Sequence, residues 1–277
     1  MDAAGKTLEI AGRHRPGPVL VPVAGGEAAL VSAGRPSGPA DNEDAAALVP
    51  IGAEGVVLVV ADGIGGQRSG ELASAAVVHE VVRAVRRAPA DESAVRGAVI
   101  DGIEAANEKV LAAGLGAGAT VVVAVVWARR VRTLHAGDAQ AIVTGQRGRL
   151  KLETTAHSPV GVRQAAGLLD EAEALAHEDR HIVTNAVGDR DMTVEVGMPL
   201  TLAAHDTVVL GSDGLFDNLR LAEIVSHVRV GPLGAAATRL RDAAGDRMAR
   251  EQAGEPSKPD DLTFILYRPG RRRAGRA

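Results

Sequence analysis

Five short acidic clusters punctuate this chain: Asp41-Asn42-Glu43-Asp44, Asp62-Gly63-Ile64-Gly65-Gly66, Gly137-Asp138, Ser212-Asp213-Gly214-Leu215-Phe216-Asp217 and Pro259-Asp260-Asp261. Each is expected at the edge of a strand. The apolar run 57–60 leads straight into Asp62, and 207–210 leads into Asp213. A buried strand that ends in a carboxylate holds that group rigidly, and a following glycine lets backbone carbonyls approach an ion or a substrate. Carboxylates and carbonyls are hard oxygen donors of the kind Mg²⁺ and Mn²⁺ prefer. Two such ions about 3.5–4 Å apart can activate a water and clamp an in-line phosphoryl displacement. Taken singly, each cluster also reads as a turn, since Asp-Gly is a common turn pair, and Asn-Glu-Asp before a strand reads as a solvated loop. Spacing alone leaves a metal centre and a set of turns both open.

Composition narrows the chemistry. The chain contains no cysteine, which excludes a disulfide framework, a Cys-ligated zinc and a thiolate nucleophile. Phosphoryl chemistry must then run through metals, a hydroxyl, a carboxylate or an imidazole. The formal charge of -4 gives no basic face for nucleic acid. Only the tail, 269–277 with Arg271, Arg272, Arg273 and Arg276, is basic, and it reads as a solvated terminus. No charged-then-apolar leader opens the chain, and the most apolar runs, 55–61 and 119–127, are far shorter than a membrane span. The expectation is a cytoplasmic protein with no membrane partner. Gly65-Gly66 is followed by no Gly-Lys-Ser/Thr, so no nucleotide cradle is read there. His157-Ser158 has no placed third member for a nucleophilic triad. His79, His135 and His205 read as packing or surface residues.

The elements that must position these residues follow from periodicity. Hydrophobic residues are 46% and aromatics 1%, so the core must be built from Val, Ala, Leu and Ile, many of them β-branched and suited to strands. Strands are expected at 28–33, 45–49, 55–61, 119–128, 131–136, 139–144, 149–153, 192–196, 207–212 and 262–268. Helices are expected at 70–87, 91–113, 163–177, 221–228 and 234–250, the second capped by Asp91 or Ser93. Residues 1–27 read either as one or two extra strands or as an arm. Links in the middle of the chain are too short for parallel crossovers. The pattern predicts one domain of α+β class, antiparallel sheets with helices packed outside.

Taken in order, the clusters resemble the PPM family, the metal-dependent protein serine/threonine phosphatases of type 2C. The resemblance spans 28–268 and rests on Asp41–Asp44, on Val59-Val-Ala-Asp-Gly-Ile-Gly-Gly66 with Gly70-Glu71 and Ala73-Ser74, and on Gly118-Ala-Thr120. It continues through Ala136-Gly-Asp138, His157-Ser158, Ser212-Asp-Gly-Leu-Phe-Asp217 and Lys258-Pro-Asp-Asp-Leu-Thr263, with the last two closest to bacterial and organellar branches. It implies a four-layer αββα sandwich, two antiparallel sheets flanked by helix pairs, with residues 1–27 as an extension and a flap at 162–181. It implies two Mn²⁺ or Mg²⁺ ions: Asp62 bridging them, the Gly63 carbonyl on one, Asp213 and Asp260 on the other. Glu43 and Asp44 would hold metal-bound waters, Asp138 and Asp217 would border a third, weaker site, and Thr120 would be structural. The implied catalytic set is Asp44, Asp62, Asp213 and Asp260, acting as a monomer on phosphorylated proteins. Two positions depart from the family. Pro39 stands where an arginine usually grips the substrate phosphate, leaving Arg35 or Arg68 to substitute. Ile64 stands where some members carry a histidine proposed as general acid. The alternative reading is a pseudophosphatase that keeps the fold for binding after losing phosphate capture.

Overall fold

The computed structural model describes residues 6–12, 17–36, 42–65, 68–114 and 116–270, with only the backbone of residue 68. Pro39, Asp41 and the tail 271–277 lie outside the described residues, as does the Arg68 side chain.

Two antiparallel sheets face each other. The first runs β1 (Leu8–Ala11), β4 (Ala45–Ile51), β5 (Gly55–Ile64), β6 (Gly118–Trp127), β7 (Arg130–Ala136) and β10 (Glu195–Val196), with β11 (Leu200–Thr201) also paired to β7. The second runs β2 (Val19–Val23), β3 (Gly26–Ala33), β13 (Leu262–Pro269), β12 (Thr207–Gly211), β8 (Gln140–Thr144) and β9 (Leu150–Glu153). Helices α1 (Arg68–Val85) and α2 (Glu92–Ala113) cover the first sheet. The short α5 (Asp213–Phe216), α6 (Leu221–Val228) and α7 (Leu233–Ala249) cover the second. The four-layer αββα sandwich implied by the resemblance is the architecture observed.

The valine runs show why. β5 and β6 are buried on both faces, so they read as continuous apolar strings. Their period of two still divides the layers. Val57, Val59 and Ala61 pack under α1 and α2, whereas Val56, Leu58 and Val60 face the other sheet. Asp91 caps α2 by accepting from the Ala94 N–H at 2.9 Å, and Gly114 closes it in the left-handed region.

Three local readings are refined. The segment 1–27 supplies β1 to the edge of one sheet, beside β4, and β2 to the edge of the other, beside β3. The single helix expected at 163–177 is instead α3 (Pro159–Ala165), α4 (Glu171–Ala176) and a 3₁₀ turn (Glu178–His181). Gly167, with φ +70°, ends the first piece, and a capping box on Asp170 and Glu173 starts the second. The strand expected at 192–196 shrinks to β10, because Asn185 takes both backbone polar groups of Thr193.

Register gathers the acidic clusters. In the first sheet Ala45 pairs Ala61, Ala61 pairs Val121 and Val121 pairs Ala136. In the second, Gly211 pairs both Phe264 and Gln140, and Leu262 pairs Ala33. The residues just beyond these pairs, 44, 62, 138, 213 and 260, therefore emerge at one end of the sandwich.

Candidate active site

Asp44 precedes β4, Asp62 lies near the end of β5, Asp138 follows β7, Asp213 opens α5 after β12, and Asp260 precedes β13. Close backbone approach lets these edges meet. A side chain at Gly63 would place its Cβ 2.4 Å from the Gly70 backbone and 2.8 Å from the Glu43 carbonyl. A side chain at Gly214 would reach within 1.9 Å of the Asp261 carbonyl. The glycines beside Asp62 and Asp213 are thus required by packing between loops.

The carboxylates crowd one another with little water to screen them. Asp44 is 1% exposed. It accepts from the Ser212 hydroxyl at 2.9 Å, and its own N–H donates to the Asn42 side-chain carbonyl at 2.9 Å. Burial, then Asp261, push its carboxyl well above the ordinary range. Burial, then Asp213, Asp44 and Asp138, do the same to Asp62, which also touches the Asp213 carboxyl. Asp138 is pushed up to about 7 by burial, Asp213 and Asp217. Asp217 is pushed up to about 6 by burial and Asp213, against Lys258. Asp260 is raised by burial and Asp213. Like charges held together in a low-dielectric site call for cations. All-oxygen donors at this density suit a hard divalent ion, so the residues present fit the metals that the resemblance implies.

Around this centre, Asp261 accepts the backbone N–H groups of Arg35 (2.8 Å) and Glu43 (2.7 Å), fixing both to the start of β13. The Ser74 hydroxyl donates to the Glu43 carbonyl, joining α1 to the same loop. An Arg35 Nη sits 3.6 Å from the Glu43 carboxylate, and its Nε is buried without a partner. Thr120, opposite Asp62 in the β5–β6 register, has a buried hydroxyl with no partner. A cavity of about 320 Å³ opens beside Asp138, Asp213 and Asp217, roofed by α3, α4 and Arg180.

The structure brings together Asp44, Asp62, Asp138, Asp213, Asp217 and Asp260, with Glu43 and Arg35 at the margin. Arg68 contributes only the position of its backbone, at the start of α1. Sequence reasoning missed the role of Lys258, which contacts three of these carboxylates, and that of Asp261. The Asp260-Asp261 doublet was the available signal for the latter. His157 and Ser158 are not a nucleophile and base: Ser158 caps α3 through the Gly161 N–H at 2.9 Å.

His135, His157 and Glu195 form a separate group whose polar atoms lie within 4.8 Å of one another. The Gly137 N–H and the Asn185 amide donate to His157 Nδ1, which leaves the proton on Nε2, facing Glu195. The two rings stack at 4.4 Å with 24° between their planes. Lone pairs in nearly parallel planes do not converge on one ion, so the group serves to pin Gly137, and hence Asp138, to the segment at 184–185.

The model of the family described as Protein phosphatase 2C matches residues 37–241. A putative protein phosphatase 2C-type of Streptococcus pyogenes is 30% identical over 181 residues, covering 62% of this chain and 73% of that protein. The serine/threonine phosphatase Stp1 of Staphylococcus aureus superposes with a TM-score of 0.76 at 26% identity, over 94% of this chain and 99% of that one. The PstP catalytic domain in complex with two manganese ions superposes at 0.68 with 23% identity, over 88% and 98%, and shares the fold. The chain belongs to the protein phosphatase 2C family of serine/threonine protein phosphatases. Among the described residues, no helix is long and apolar enough to cross a membrane.

Proposed function

We propose that this phosphatase hydrolyses phosphoserine and phosphothreonine in proteins using two Mn²⁺ or Mg²⁺ ions. Asp62 and the Gly63 carbonyl would hold one ion, and Asp62, Asp213 and Asp260 the other. The observation that carries the reading is the convergence of six aspartates at one end of the sandwich, where burial and neighbouring carboxylates raise the carboxyls of Asp44, Asp62, Asp138, Asp217 and Asp260. Bound divalent ions would activate a water and offset charge developing on the phosphoryl oxygens. The structure of PstP with two manganese ions supports the ion count by analogy.

The chain's own residues do the rest. Ser212 and Asn42 hold Asp44 in place, where with Glu43 it can orient water at the centre. Asp261 locks the Arg35 and Glu43 backbones beside the ligands. Arg35 takes the phosphate-gripping role left open by Pro39, since its guanidinium lies beside Glu43 with an Nε still to be satisfied. Ile64 is 37% exposed and has no proton to give, so the leaving alkoxide takes its proton from solvent. In this reading, residues 162–181 form a flap over the cavity and 28–268 the phosphatase domain of a cytoplasmic, monomeric enzyme. No observation favours a binding-only role.

Hydrolysis of a phosphothreonine peptide by EDTA-stripped protein should be absent, return with Mn²⁺, and disappear in Asp62→Asn. Undiminished hydrolysis in EDTA, or a folded protein inactive at every divalent ion concentration, would overturn the reading.

A further inference from the structure

At the end of the sandwich that carries the aspartates, α1 and α2 do not close on each other. A pocket of about 200 Å³ lies between the N-terminal half of α1 and the last turn of α2. Leu72, Ala73 and Ala76 wall it on one helix, Val110 and Ala113 on the other, and Ala117 ahead of β6. The cause is side-chain size: four of these six residues are alanines, and helices that meet through alanines where a larger residue would fit leave a void. The lining is almost wholly apolar. Lys109, at the rim, turns its ammonium to Glu80 at 3.3 Å, so its charge is met outside the pocket. Leu72 is 55% exposed while its neighbour Ala73 is buried, so this apolar wall stands open to solvent.

The pocket adjoins the candidate active site through close backbone contacts. A Cβ at Gly63 would meet the Gly70 backbone at 2.4 Å, and one at Gly65 would stand 3.1 Å from Ala117. The Ser74 hydroxyl, next to Ala73, donates to the Glu43 carbonyl. The pocket and the carboxylates are thus separated by about one helix width, on the order of 10 Å, which an extended chain covers in roughly three or four residues. A cavity of about 150 Å³ holds a benzene ring, so this one has room for a leucine, methionine or phenylalanine side chain. The substrate of a serine/threonine protein phosphatase is itself a chain, and the residues flanking its phosphorylated side chain must cross the rim of the site. We propose that the pocket between α1 and α2 is a docking subsite for the substrate protein, taking one apolar side chain three or four residues from the phosphorylated residue. The subsite adds affinity away from the phosphoryl chemistry and selects substrates by sequence. This rests on the proposed function above and names the chemistry of the sequence recognised.

The test is steady-state hydrolysis, by the full chain with Mn²⁺, of phosphothreonine peptides in which a single leucine is walked along both sides of the phosphorylated residue in an alanine and serine background. Wild type should favour leucine at one position, three or four residues from the phosphothreonine. There KM should fall roughly tenfold against alanine with kcat little changed, because burying one leucine side chain adds about that much affinity. Ala113→Phe, which fills the pocket from the end of α2, and Leu72→Ser, which removes its apolar wall, should each abolish the preference. Both positions are exposed and lie outside the carboxylate cluster, so p-nitrophenyl phosphate turnover and half-saturating Mn²⁺ should stay at wild-type values. Mn²⁺-dependent hydrolysis with equal KM at every leucine position, or a preference that survives in both variants, would overturn the inference and leave the proposed function standing. A fall in p-nitrophenyl phosphate turnover as large as that with the peptides would overturn it too, because the pocket would then act on the centre itself. A wild type that dimerises in analytical ultracentrifugation, with the dimer lost in Ala113→Phe, would assign the pocket to a second copy of the chain and overturn it as well. Absence of turnover with every peptide would overturn the proposed function and, with it, the inference.

Discussion

Replacing Asp138 with Asn gives a direct measure of the electrostatic strain in the acidic cluster. The Asp138 carboxyl stands at about 7 against an ordinary 3.8, because of burial first and then Asp213 and Asp217. A carboxyl raised on folding stabilises the protein in its protonated form: that contribution is complete below the ordinary value and is lost as pH rises through about 7. At about 1.4 kcal/mol per pH unit, the raised Asp138 carboxyl lowers folding stability by about 4 kcal/mol at pH 8, where the folded group is charged, but only by about 1.5 kcal/mol at pH 5, where folding protonates it. Asparagine keeps the shape and is neutral at both. Denaturant unfolding of EDTA-treated wild type and Asp138→Asn at both values should therefore show the variant more stable, by roughly 2–3 kcal/mol more at pH 8 than at pH 5. At pH 8 the advantage corresponds to about 10 °C in Tm for a chain of this size. The paired comparison cancels every group the two proteins share. A variant of equal or lower stability at pH 8, or an advantage independent of pH, would refute the claim that the cluster stores like-charge repulsion.

Other consequences are open to the same kind of measurement. Asp62→Asn and Asp213→Asn should retain the wild-type circular dichroism spectrum while losing at least a hundredfold in Mn²⁺-dependent p-nitrophenyl phosphate turnover, and full activity in either would sink the site assignment. Half-saturating Mn²⁺ for the wild type should fall as pH rises from 6 to 8, because Asp138 and Asp217, at about 7 and about 6, must shed protons before they favour cations; a flat profile in calorimetric titration would contradict this. Arg35→Ala should raise KM for a phosphothreonine peptide on the order of tenfold with a smaller change in kcat, and unchanged steady-state kinetics would remove Arg35 from the phosphate site. Gly214→Ala should cost roughly 1–3 kcal/mol in denaturant unfolding, because its methyl meets the Asp261 carbonyl within 1.9 Å, and stability within error of wild type would show that the loops there yield freely.

What could be read from the chain before its structure divides along a physical line. Strands such as β5 and β6 announce themselves because ten consecutive residues are apolar enough to be buried on both faces, and the carboxylates at their ends inherit positions from antiparallel register. Asp62, Asp138, Asp213 and Asp260 were legible for that reason. The split of 163–177 into two short helices was not, since helical spacing says nothing about a left-handed Gly167 and a cap on Asp170 that interrupt a polar surface run. Asp261 and Lys258 were hidden for a different reason. Their roles depend on pairings across 218 to 226 residues for Asp261, with Glu43 and Arg35, and across 45 residues from Lys258 to Asp213. No local pattern separates a lysine that points to solvent from one whose backbone is clamped by Asn218. Charge balance supplies the missing criterion: six crowded, largely half-buried aspartates need cations in reach, and Lys258, two residues from Asp260 and in contact with three of them, is a component of the site.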